Sequence, residues 1–128
     1  MIFMERCIIC LGSNQNGKEH LLQATKNIDL IFSDIKWGEI IQTAPEGTSH
    51  PSPYFNRAGI FSTNMDIQQV KSIFKSIERQ HGRTPSSKAS GRIPLDIDLL
   101  VYGSQVLKPD DMNRTYVRQA LSTICHTL

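Results

Sequence analysis

Apolar and polar positions follow two rhythms along the chain, and the change from one to the other marks the elements. Residues 7–11 form an unbroken apolar run that stops at Gly12-Ser13-Asn14, as a buried central strand reads. Over 18–32, Leu21, Leu22, Ala24, Ile28, Leu30 and Ile31 recur near helical period, which predicts an amphipathic helix closed by Ser33-Asp34. A strand is expected over 35–43, then a loop rich in Pro, Gly and Ser over 44–53. Residues 54–63 alternate: Tyr54, Asn56, Ala58, Ile60 and Ser62 share one face, and Phe55, Arg57, Gly59 and Phe61 the other. Asn64-Met65-Asp66 turns the chain and offers a cap to a helix over 67–81, striped by Val70, Ile73, Phe74 and Ile77 and stopped by Gly82. A loop over 84–94, a strand over 95–102 ended by Gly103, and a helix over 113–124 complete the chain.

The order βαββαβ plus a short C-terminal helix predicts an α/β (α+β) fold. Its ferredoxin-like sheet would carry both long helices on one face. No internal repeat or linker interrupts it, so residues 1–128 are expected to form a single domain.

Composition narrows the function only by exclusion. The chain is 39% hydrophobic and 20% charged with a net charge of +2, too little to argue for a nucleic-acid or membrane-surface protein. An apolar N-terminal stretch broken by Glu5 and Arg6 does not read as a signal peptide, and no apolar run approaches the ~20 residues of a membrane helix. A cytoplasmic protein is expected. Three cysteines exclude a full disulfide framework. The Cys7-x-x-Cys10 spacing admits a redox pair or half a metal site, but its place inside an apolar run favours two small buried strand residues.

Asp96-Ile97-Asp98 is the most informative triplet. On a strand the two carboxylates share a face while Leu95, Ile97 and Leu99 point the other way. Paired carboxylates repel unless a cation lies between them, and oxygen ligands on a rigid strand suit Mg²⁺. The bland alternative is the solvated face of an edge strand. Against it stands the preceding segment: 79–95 holds no acidic residue but carries Arg79, His81, Arg83, Lys88 and Arg92. Such a loop suits phosphate oxygens, since phosphoryl transfer needs positioning and charge stabilisation more than covalent chemistry. Without interleaved aromatics it is a poor RNA platform. Tyr54 and Tyr116 offer flat faces for a ring, and Asn56 offers a donor and an acceptor to a heterocycle edge.

In their order and spacing, several motifs resemble the 6-hydroxymethyl-7,8-dihydropterin pyrophosphokinase family. They are Leu11-Gly12-Ser13-Asn14, Thr43-x-Pro45-x-Gly47 with Tyr54-Phe55-Asn56, Glu78-x-x-x-Gly82-Arg83, and Leu95-Asp96-Ile97-Asp98-Leu99-Leu100 with Tyr102-Gly103. The resemblance implies transfer of the β,γ-pyrophosphoryl group of ATP to the pterin's hydroxymethyl oxygen in folate biosynthesis, releasing AMP. It implies two Mg²⁺ ions with ATP on Asp96 and Asp98, and pterin contacts at Thr43, Ala44, Glu46, Tyr54, Asn56 and Tyr116. Nucleotide contacts are implied at Glu78, Leu99 and Arg114, with Arg83 opening a mobile catalytic loop. Arg92 and Lys88 complete the expected phosphate-binding set. Pterin and ATP are the only partners expected, with no obligate protein partner. The family's loop tryptophan is replaced by Ser90, and the Pro-His pair expected near Pro109 is missing. A looser loop and slower turnover are therefore expected. The alternative is a catalytically weak paralogue that binds pterin or nucleotide as a regulatory protein.

Overall fold

The structure, a computed structural model, describes residues 3–43 and 52–125. The long elements are β1 (Glu5–Ser13), α1 (Gly17–Asp29), β4 (Tyr54–Thr63), α2 (Ile67–Gln80), β5 (Asp96–Tyr102) and α5 (Thr115–Cys125). Shorter pieces are β2 (Lys36–Trp37), β3 (Ile41–Thr43), α3 (Ser87–Ser90), β6 (Gln105–Val106) and α4 (Pro109–Met112).

The strands form one antiparallel sheet in the order β2-β4-β1-β5-β6, with β3 also on β4. Taking β2 and β3 as one interrupted strand, this is the ferredoxin-like order the sequence predicts. The apolar run lands on β1, paired on both sides, which is why it lacks a polar face. The strand expected over 35–43 is split at Gly38, whose backbone N–H donates to Ala58 O. A Cβ at Gly38 would run into Thr123 and Ile124 of α5, so only glycine lets that helix approach.

One face carries the main core: Cys7, Ile9 and Leu11 of β1 and Ile97 and Leu99 of β5 meet Leu21, Ala24 and Ile28 of α1 and Val70, Phe74 and Ile77 of α2. The α2 start is fixed by a reciprocal cap in which Asp66 Oδ1 accepts from Gln69 N–H and Gln69 Oε1 from Asp66 N–H, at 2.8 and 2.9 Å. The other face is covered only in part. Helix α5 sets Val117, Ala120 and Ile124 against Cys10, Ala58 and Leu100.

Cys7 and Cys10 therefore face opposite sides of the sheet and are both free thiols. Burial pushes the Cys7 thiol up to about 11 and Cys10 higher still. The redox or metal alternative for this spacing fails because positions three apart on a strand diverge.

Candidate active site

Where α5 leaves the second face uncovered, a cleft of about 600 Å³ opens over β4, β1 and β5. Strand pairing builds its floor. Gly12 of β1 stands between Asn56 of β4 and Asp96 of β5, and Cys10 stands beside Asp98. A Cβ at Gly12 would lie 3.2 Å from Asn56 Oδ1, so glycine keeps the floor open between the amide and the carboxylates.

The face assignment made for β5 holds: Asp96 and Asp98 line the cleft while Ile97 and Leu99 are buried with α1 and α2. The two carboxyls stand side by side on this face, close enough to shift each other's titration. Burial, reinforced by the Asp96 charge, pushes Asp98 up to about 7. Burial also raises Asp96, but its interactions with Asp98 and Arg83 and the nearby Arg83 and Lys108 charges outweigh it, so Asp96 lies below its ordinary value. Below neutral pH Asp98 therefore favours its protonated form while Asp96 stays charged. Arg83 Nη1 lies 2.6 Å from Asp96 Oδ1, and Lys108 Nζ 2.9 Å from Asp98 Oδ1.

These carboxylates fit Mg²⁺. A dication would replace the Asp98 proton and relieve the repulsion, and Mg²⁺ commonly takes one or two carboxylates, completing its shell with water and phosphate. Among the described residues no group of three or more His, Cys, Asp or Glu gathers at one point, so no all-protein cage competes with this two-ligand arrangement.

The ring-binding candidates meet in the same cleft. Thr43, Tyr54, Asn56 and Tyr116 all line it. Asn56 is buried, and its Nδ2 donates to Thr43 Oγ1 at 2.9 Å, which fixes the amide. Burial raises both phenols, Tyr116 to about 12, so both are neutral in the physiological range. Arg114 lines the cleft and pairs with Asp111 at 3.0 Å.

The side chains of two residues implied as nucleotide contacts do not line the cleft. Leu99 lies in the core on the far face of β5, because it falls out of phase with the aspartates. Glu78 is buried behind the cleft, where its Oε2 accepts from Ile97 N–H at 2.7 Å and from Arg83 Nη1 at 3.2 Å. It braces Arg83 against the root of β5. Arg92 is exposed and does not line the cleft. Ala44, Glu46 and the Lys88 side chain lie outside the described residues.

Three contributors were not read from the sequence. Asn14 is buried, donates from Nδ2 to Gly91 O at 2.6 Å and accepts from Ile93 N–H at 2.7 Å. The loop expected to be mobile is thus tied at its C-terminal end to the tip of β1, and it contains α3. Gly12 and Asn14 stood inside the quoted Leu11–Asn14 motif, but its roles need the paired strands to be seen. For Lys108 no local signal existed: its partner is ten residues away across a hairpin.

The model of the 7,8-dihydro-6-hydroxymethylpterin-pyrophosphokinase family matches residues 8–126. The chain is 26% identical over 131 residues to a 2-amino-4-hydroxy-6-hydroxymethyldihydropteridine pyrophosphokinase of Porphyromonas gingivalis, covering 91% of this chain and 88% of that protein. It is 27% identical over 112 residues to the folate synthesis bifunctional protein of Arabidopsis thaliana, covering 84% of this chain and 23% of the plant protein. These similarities favour the enzyme over the regulatory paralogue. The chain belongs to the 7,8-dihydro-6-hydroxymethylpterin-pyrophosphokinase family, whose reaction is transfer of pyrophosphate from ATP to the hydroxymethyl group of the reduced pterin.

Proposed function

We propose that this chain carries out the family's transfer as a single domain in the cleft over β4, β1 and β5, releasing AMP and serving folate synthesis. The observation that carries the reading is the carboxylate pair Asp96 and Asp98, set on one face of β5 in the cleft between Arg83 and Lys108. Asp96 and Asp98 hold two Mg²⁺ ions with ATP, which supply charge neutralisation for the triphosphate. Arg83 stabilises phosphate oxygens from the cleft wall and Glu78 positions it, while Lys88 and Arg92 of the same loop join only once the loop moves in over the nucleotide. Arg114 contacts the nucleotide.

Tyr54 and Tyr116 bound the pterin ring, while Thr43 and Asn56, with Ala44 and Glu46, read its edge. The rigid Asn56 amide favours a single ring orientation, and orientation alone supplies several kcal/mol of the barrier for attack by the hydroxymethyl oxygen. We place the protein in the cytoplasm; among the described residues no helix is long and apolar enough to cross a membrane.

The test is incubation with reduced hydroxymethylpterin, ATP and Mg²⁺. AMP and a pyrophosphorylated pterin should form in equal amounts. Tight pterin binding without AMP would instead return the regulatory reading.

A further inference from the structure

We propose that Lys108 is a phosphate-handling residue of this site, resting on Asp98 in the free protein and passing to the nucleotide's phosphate oxygens when Mg²⁺ takes the carboxylates. The inference rests on the cleft being the nucleotide site.

The fold delivers this lysine deliberately to one spot. Strand β5 turns at Gly103, where φ is +59°, and returns as β6 with Val106 opposite Val101. Leu107 N–H then donates to Leu100 O at 2.8 Å, which keeps the returning chain beside β5 after the strand has ended. Pro109 at the start of α4 restricts the backbone just beyond Lys108, and Lys108 makes no side-chain cap to that helix. Its side chain is left free to reach back over β5, where Nζ meets Asp98 Oδ1 at 2.9 Å on the cleft wall.

A solvent-side ion pair contributes little to stability, so fold support alone is a weak reason for this placement. The side chain is 43% exposed, and its flexible four-carbon stem allows the ammonium to move. Once a dication occupies Asp98, the ammonium faces a like charge at the same carboxylate and is repelled. The other acid beside it, Asp111, already pairs with Arg114 at 3.0 Å. The triphosphate is then the nearest excess of negative charge, and an ammonium is a strong point-charge donor to phosphate. Lys108 and Arg83 thus form matched cations, one per carboxylate, from opposite sides of the strand sequence.

The experiment uses the full chain with Lys108→Met and Lys108→Arg, and Asp96→Ala as the control for the site itself. Calorimetry measures binding of Mg²⁺ alone, of a Mg²⁺-bound ATP analogue with a non-transferable β,γ bridge, and of pterin. In Lys108→Met, affinity for the nucleotide analogue should fall about 10-fold or more, as expected for a lost charge-assisted hydrogen bond. Mg²⁺ alone should bind as tightly as before or more tightly, because a competitor for Asp98 is gone, and pterin affinity should hold. Lys108→Arg should recover most of the loss. Unchanged analogue affinity in Lys108→Met overturns the proposal, as does a parallel loss of Mg²⁺, analogue and pterin binding, which marks a structural role. If Asp96→Ala also binds the analogue like the parent, the nucleotide-site reading itself fails; if only that control loses binding, the failure is confined to Lys108.

Discussion

The two faces of β5 answer to different physics within seven residues. Toward α1 and α2, Ile97 and Leu99 join a closed apolar core in which Phe32 and Phe61 stack with ring centroids 4.2 Å apart. Toward α5, Asp96 and Asp98 face a cleft, where burial and the neighbouring charge push Asp98 up to about 7. The first face gains by excluding water, at roughly 25 cal/mol per Å² of apolar surface. The second retains two adjacent carboxylates, each paired with a cation of its own, Arg83 and Lys108, whose mutual repulsion a metal ion would relieve. A strand anchored on one side by packing can carry such a strained pair on the other without losing register, because a one-residue slip would put both aspartates into the core. The site is held by the face that does no chemistry.

The comparison is broken most severely from the cleft side. Asp96→Ala or Asp98→Ala should lower AMP formation by more than about 100-fold, since bound metal supplies several kcal/mol of charge stabilisation, while circular dichroism stays native. On the core side, Leu99→Ala should cost about 2–5 kcal/mol of stability in a urea titration, yet leave nucleotide affinity per folded molecule unchanged. A loss of affinity in that variant would mean the two faces are not independent. At the ring-binding end, Tyr54→Ala and Asn56→Ala should each weaken pterin binding by on the order of 1–3 kcal/mol, with a smaller effect on nucleotide.

A subtler effect follows from the Asp98 proton. Asp98 titrates at about 7 in the folded chain against an ordinary value of 3.8. The folded state therefore binds the extra proton, and stability from this group is present below about pH 4 and lost as pH rises toward 7. Asp98→Asn should remove that loss and raise the melting temperature of the metal-free protein above pH 7. Smaller still is the effect expected at the α1–α2 seam. His81, whose Nδ1 lies 2.8 Å from His20 Nδ1 and whose Nε2 lies 2.9 Å from Asn27 Oδ1, is lowered by burial and by His20. Its contribution is present above about pH 6.5 and lost on acidification, so His81→Asn should flatten a slight fall in urea midpoint below that pH.

Much of this architecture is legible in the residues because it is periodic. The alternation over Tyr54–Thr63 gave β4 its observed bounds, and the stripe at Val70, Phe74 and Ile77 gave α2 and its buried side. The phase of Asp96-Ile97-Asp98 placed the carboxylates on one face, and the same phase puts the Leu99 side chain on the other. What could not be read depends on partners far away in sequence. Gly38 interrupts an edge strand because α5 presses on it. Asn14 ties down a loop 77 residues further on. Elements as short as β6 and α4 have no period to detect, yet they bring Lys108 back to Asp98.

In the proposed site, Asp96 and Asp98 hold the metal that brings nucleotide into the cleft. The most direct test of that assignment is calorimetric titration of a non-transferable ATP analogue into the parent and the Asp96→Asn/Asp98→Asn double variant, with and without Mg²⁺. Mg²⁺ should strengthen binding to the parent by at least about 10-fold, a difference of about 1.4 kcal/mol or more, and leave the double variant unaffected. An equal Mg²⁺ dependence in both proteins would contradict it.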